Sequence, residues 1–66
     1  MIQNDNELYA MQERILMFER VLAEARKTYS PSNYKAMAEG YLTEIDRMQA
    51  EIREYLSRTA EQAEAA

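Results

Sequence analysis

The chain has 66 residues with no cysteine and no histidine, and 12 acidic against 8 basic residues give it a net charge of −4 at pH 7. These features exclude a disulfide framework, a thiolate metal site and any catalysis that depends on histidine or cysteine. The acidic balance also disfavours nucleic-acid phosphates and anionic lipid, which are themselves negative. A chain this short forms one small domain, and oligomerisation is the remaining common way to enlarge its core.

The start of the chain predicts no targeting segment. "MIQNDNELYA" lacks the basic residues and apolar run of a signal peptide, and no segment approaches the ~18 consecutive apolar residues that a membrane span needs. We therefore expect a cytoplasmic protein without a membrane partner.

A first helix is predicted over about residues 5–28. Asn4 and Glu7 have the spacing of a capping box, with Asn in the serine role, and Asp5 suits the positive end of the helix dipole. Arg26 and Lys27 stand near the other end, where cations are favoured.

The stretch "TYSPSNY", residues 28–34, contains the only proline. Ser30 precedes Pro31 and is pushed towards extended backbone angles, which suit a helix N-cap, while Pro31 suits the first helical position. Tyr29 and Tyr34 then occupy the two positions of a hydrophobic staple. The pattern predicts a fixed corner at residues 29–30, not a flexible linker.

A second helix is predicted over about residues 31–58, so residues 1–58 form a single helical hairpin. Gly40 lies inside this helix and is interpreted as a tolerated surface glycine, with close approach of a partner backbone as the alternative. The tail, residues 59–66, has no large apolar residue to anchor it and is expected to fray or be disordered.

Apolar residues in both halves recur at alternating steps of three and four, the pattern of one helix packing along another. Because the corner is short, the two helices must run antiparallel, which makes the protein all-α. The seam residues expected to face each other are Leu8, Met11, Ile15, Phe18 and Leu22 in the first helix and Tyr41, Ile45, Met48, Ile52 and Tyr55 in the second.

Both helices also carry apolar residues outside this seam, at positions that one hairpin partner does not cover. They are Tyr9, Leu16, Met17, Met37, Leu42 and Leu56. A contiguous apolar patch usually marks an interface. The sequence therefore predicts that two hairpins pair as a dimeric four-helix bundle, with another helical protein as the alternative partner.

No catalytic, metal or cofactor site can be assembled from the sequence. Glu44 with Asp46 and Glu51 with Glu54 are the nearest carboxylate pairs, but residues two apart do not share a helix face and the second pair falls on a solvated flank. There is no Gly-rich phosphate loop and no calcium-loop motif. The protein is predicted not to be an enzyme and to need no cofactor.

The segments "MIQNDNELYAMQERILMFERVLAEAR" and "YLTEIDRMQAEIREYLS" resemble the N-terminal helical hairpin that precedes the helix-turn-helix domain in some bacterial regulators of the Xre and antitoxin type. In that family the hairpin is an accessory interaction segment, and the domain that follows binds DNA. The resemblance implies a small bacterial or phage-type interaction module without direct nucleic-acid contact. The alternative is an antitoxin-like regulator fragment that acts on DNA only through a larger complex.

Overall fold

A computed structural model describes residues 1–59 of the chain. It contains two helices, α1 (Asp5–Thr28) and α2 (Pro31–Ser57), and no strand in these residues. The helices pack against each other as a hairpin. The prediction of an all-α protein built from two packed helices is confirmed. Of the predicted tail, residues 60–66 lie outside the described part of the chain.

α1 begins at the predicted cap. Asn4 has extended backbone angles, and its side-chain oxygen accepts a hydrogen bond of 2.9 Å from the backbone N–H of Glu7. The Glu7 carboxylate in turn accepts from the backbone N–H of Gln3 at 2.8 Å. The return bond of the capping box therefore comes from the residue before the cap, which ties the N-terminal segment to the first turn of α1.

The corner between the helices consists of two residues. Tyr29 caps the C-terminal end of α1 by donating its backbone N–H to the carbonyl of Ala25 at 2.9 Å. Ser30 is the N-cap of α2, with φ −64° and ψ 156°, and its hydroxyl accepts from the backbone N–H of Asn33 at 3.3 Å. Pro31 opens α2, where its missing N–H costs no hydrogen bond. Every residue of this short corner therefore has a defined structural role.

The core lies along the line where the helices meet. Its buried cluster consists of Ile15, Leu22, Ala38, Ile45 and Met48, and Met11, Phe18, Tyr34, Met37, Tyr41 and Ile52 pack against it while remaining partly exposed. The rings of Phe18 and Tyr41 meet edge to face with their centroids 5.1 Å apart, a favourable aromatic geometry. The corner thus brings residues of the two halves of the chain into one continuous seam.

Gly40 lies within α2 at an exposed position. A Cβ atom built there would meet no other atom within 4 Å, and the residue does not have a positive φ. Nothing within the hairpin therefore requires glycine at this position.

Candidate interaction surface

Ten residues were predicted to form the seam, and the structure divides them into two groups by exposure. Leu8, Ile15, Leu22, Ile45 and Met48 are buried, whereas Met11, Phe18, Tyr41, Ile52 and Tyr55 are half-buried. Ala25 and Ala38 are buried as well, at the closed end of the hairpin. Of the two tyrosines assigned to the staple, Tyr34 packs against the core and Tyr29 is 49% exposed.

The apolar residues predicted outside the seam are exposed in all but one case. Tyr9, Leu16, Met17, Leu42 and Leu56 are exposed, with Leu16 at 45% and Leu42 at 49%. The exception is Met37, which is half-buried and packs against the core cluster. Met37 therefore extends the seam of the hairpin.

Leu16 and Met17 border one shallow depression on α1, together with Ala10, Glu13, Arg14 and Arg20. Consecutive residues of a helix point about 100° apart, and the buried Ile15 and the half-buried Phe18 fix the direction of α2. Leu16 and Met17 therefore flank the side of α1 that points away from α2.

On α2, Leu42 and Leu56 lie on the flank of the seam. Leu42 shares a depression with the half-buried Tyr34 and the buried Ala38, and Leu56 shares another with the half-buried Ile52. These two leucines therefore continue the edge of the core outward. The structure separates them from the outward-pointing residues of α1.

Val21 is a further exposed apolar residue, at 42% exposure, that the sequence analysis did not single out. It follows Met17 by four residues, so the two side chains lie on adjacent turns of the same face. The spacing of four residues from Met17 could have identified Val21 from the sequence. Val21 extends the apolar surface of α1 by one turn.

The charged groups of α2 form a local network on its exposed surface. Arg47 Nε lies 2.8 Å from Glu44 Oε2, and the Arg47 guanidinium also pairs with Glu51. The hydrogen bond from Arg47, assisted by its charge, lowers the pKa of Glu44 below its ordinary value. Because Glu44 and Arg47 are exposed, their pair contributes little to stability.

The open end of the hairpin holds a contact that the sequence analysis missed. Ile2 is 2% exposed, although it precedes α1, and its backbone carbonyl accepts a hydrogen bond of 3.1 Å from Arg58 Nη2. The amino group of Met1 lies 3.3 Å from Glu51 Oε1. Nearby, the Tyr55 hydroxyl donates to Asp5 Oδ1 at 2.6 Å. The N-terminal segment and the first turn of α1 are thus both joined to the C-terminal end of α2 and to Arg58, which follows it.

Residues 1–59 contain no group of three or more Asp, Glu, His or Cys side chains placed to hold a metal ion. Within the same residues, neither helix is long and apolar enough to cross a membrane. The exposed apolar side chains of α1 are the surface feature most typical of an interface.

No known family model, curated protein or solved structure matches this chain. The resemblance to the hairpin of Xre-type and antitoxin-type regulators therefore stays a prediction.

Proposed function

We propose that this protein is a non-catalytic interaction module that associates with a second copy of itself. Two hairpins then form a dimeric four-helix bundle. The proposal rests on one observation, namely that large apolar side chains outside the hairpin seam are exposed, above all Leu16 and Met17 on the side of α1 opposite α2. Exposed apolar residues that cluster are typical of interfaces, whereas isolated ones are common on any surface.

The size of the core supports association. The buried apolar residues of the described chain are few, and two of them, Ala25 and Ala38, contribute little area. Ordering each residue of a small domain costs roughly 1.5 kcal/mol, which a single seam offsets poorly. Pairing with a second hairpin would bury the apolar side chains that one hairpin leaves exposed.

Another helical protein is the alternative occupant of this surface. The self-pairing proposal is preferred because Glu13 and Arg20, on the outward side of α1, have opposite charges that a second copy of the chain could pair. The other alternative is an antitoxin-like regulator fragment that acts on DNA only through a larger complex, in which a partner would make the DNA contact because the net charge of −4 opposes direct contact with phosphates.

Sedimentation equilibrium from micromolar to millimolar chain concentration tests the proposal. We expect a mass that approaches twice the 7.8 kDa of the chain as concentration rises. Circular dichroism on the same samples reports whether the chain is helical. A helical chain that stays at the monomer mass to millimolar concentration would contradict self-association. An unfolded monomer would also contradict it, because a different partner would then be needed for the fold.

A further inference from the structure

The outward face of α1 has an internal symmetry in its sequence. Six residues at helical spacing carry this symmetry: Ala10, Glu13, Leu16, Met17, Arg20 and Ala23. About a point midway between Leu16 and Met17, glutamate mirrors arginine, alanine mirrors alanine, and leucine mirrors methionine. We call this set the outer face of α1.

We propose that the outer face of α1 binds the outer face of α1 in a second copy, antiparallel and about a two-fold axis between Leu16 and Met17. This inference rests on the proposed self-association and names the surface that carries it. A two-fold contact uses the same patch on both chains, so a residue near the centre of the face meets its mirror position in the partner. Glu13 of each copy then faces Arg20 of the other, whereas Leu16 and Met17, on opposite flanks of the face, each lie beside the same residue of the partner.

The charge pattern selects this orientation. In a parallel pairing Glu13 would face Glu13 and Arg20 would face Arg20, which places like charges together. In the antiparallel pairing both contacts join opposite charges. Complementary charges across an interface favour the correct partner and fix its register.

Glu13 and Arg20 are also available for such a contact. Both are exposed, and neither forms an ion pair with another residue in the range 1–59. Seven residues separate them, which is about 10 Å along a helix, so they cannot pair within one chain. By contrast, two other glutamates form ion pairs within the chain. Glu24 Oε1 lies 3.6 Å from Lys27 Nζ, and Glu44 Oε2 lies 2.8 Å from Arg47 Nε. The charges of the outer face are therefore left for a partner.

The small residues Ala10 and Ala23 lie beyond the charged pair, on opposite edges of the outer face. Small side chains at a helix contact permit a shorter distance between the helix axes. The resulting four-helix dimer has the two copies of α1 in its middle and the two copies of α2 outside, so it refines the proposed bundle to a row of four helices with two separate hairpin cores. Leu42 on α2 then stays away from the contact.

Charge reversal tests this pairing. In Glu13→Arg, arginine would face Arg20 of the partner twice in each dimer, and in Arg20→Glu, glutamate would face Glu13 twice. We expect each variant alone to dimerise at least about tenfold more weakly than the parent.

An equimolar mixture of the two variants should form heterodimers, because both contacts then join opposite charges. The double variant Glu13→Arg/Arg20→Glu should recover dimerisation. Glu39→Arg changes the charge equally on an exposed site of α2 and is expected to have no such effect.

Sedimentation equilibrium gives the readout for every variant, with circular dichroism to show that each remains helical. If the parent dimerises but the mixture of single variants does not recover dimerisation, the two-fold pairing is overturned while self-association stands.

Leu16→Glu and Leu42→Glu provide the matched apolar test, since both leucines are about half exposed. We expect Leu16→Glu to dissociate the dimer and Leu42→Glu to leave it intact. The reverse result would place the interface on α2.

Discussion

At the scale of single residues, Asp5 joins the two ends of the chain. It lies in the first turn of α1, where a negative charge interacts favourably with the helix dipole, and it accepts a hydrogen bond from Tyr55. That hydrogen bond, reinforced by desolvation and by the negative charge of Asp5, raises the pKa of Tyr55 above its ordinary value. The bond can form only while the Tyr55 hydroxyl keeps its proton.

The direction of this pKa shift predicts how the contact depends on pH. Because the folded chain holds the Tyr55 proton more tightly than the unfolded chain, the contact contributes fully below the ordinary tyrosine pKa of about 10. Its contribution is lost as pH rises through the higher pKa of the folded state. We expect Asp5→Asn to lower the pKa of Tyr55 towards the ordinary value, since the amide carries no charge.

Ultraviolet absorbance of tyrosinate measures this pKa. The chain has five tyrosines, so the curve of a matching Tyr55→Phe variant is subtracted in each background to isolate Tyr55. Asp46→Asn removes another exposed carboxylate of the chain and is the control, with no shift expected. Equal Tyr55 pKa values in the parent and in Asp5→Asn would show that the hydrogen bond is absent in solution.

At the scale of elements, the N-terminal segment before α1 is a small fourth component beside the helices and the corner. Gln3 is held by the Glu7 carboxylate, and the carbonyl of Ile2 is held by Arg58. The Arg58 guanidinium also lies 5.3 Å from the centre of the Tyr55 ring and 3.4 Å from Glu54 Oε2. Arg58 therefore connects the end of α2 to the start of the chain.

The helices and their corner could be predicted from sequence because each depends on local rules. A capping residue such as Asn4, a proline after Ser30 and a seam at steps of three and four each act within one or two turns. The burial of Ile2 could not be found in this way. A segment of four residues has no period, and its position depends on where α2 ends beside it. The antiparallel topology, combined with a large aliphatic residue before the cap, was the only available signal.

The buried side chain of Ile2 predicts that the N-terminal segment contributes to stability. Ile2→Ala removes a side chain that is 2% exposed, and we expect the free energy of unfolding to fall by about 2 kcal/mol. Urea denaturation followed by circular dichroism measures the change. Leu56→Ala is the control, because that residue is 61% exposed near the same end and surface substitutions cost less than about 0.5 kcal/mol. Equal effects of the two variants would mean that Ile2 is not packed in solution.

At the scale of the whole molecule, the hairpin has its polar and apolar surfaces arranged unevenly. The ion pair of Glu44 with Arg47 covers part of α2, while the outer face of α1 leaves Leu16 and Met17 exposed beside charges with no partner in the described chain. The exposed positions of Leu16 and Met17 follow from the helical period, but the sequence alone did not separate them from Leu42 and Leu56. That separation needed the direction of α2 relative to each helix, which only the packed hairpin supplies.

If the dimer is the stable form, folding and association are coupled, and the melting temperature must depend on chain concentration. Unfolding absorbs roughly 0.7 kcal/mol of enthalpy per residue, or about 90 kcal/mol for two chains, so a tenfold rise in concentration should raise the melting temperature by about 5 °C. Thermal melts followed by circular dichroism across a hundredfold range of concentration measure this slope. Leu16→Glu should remove the slope while the chain remains helical at low temperature, whereas Leu42→Glu should keep it. A parent melting temperature that does not change with concentration would show that the hairpin is stable alone, and the exposed face of α1 would then have no role in holding the fold together.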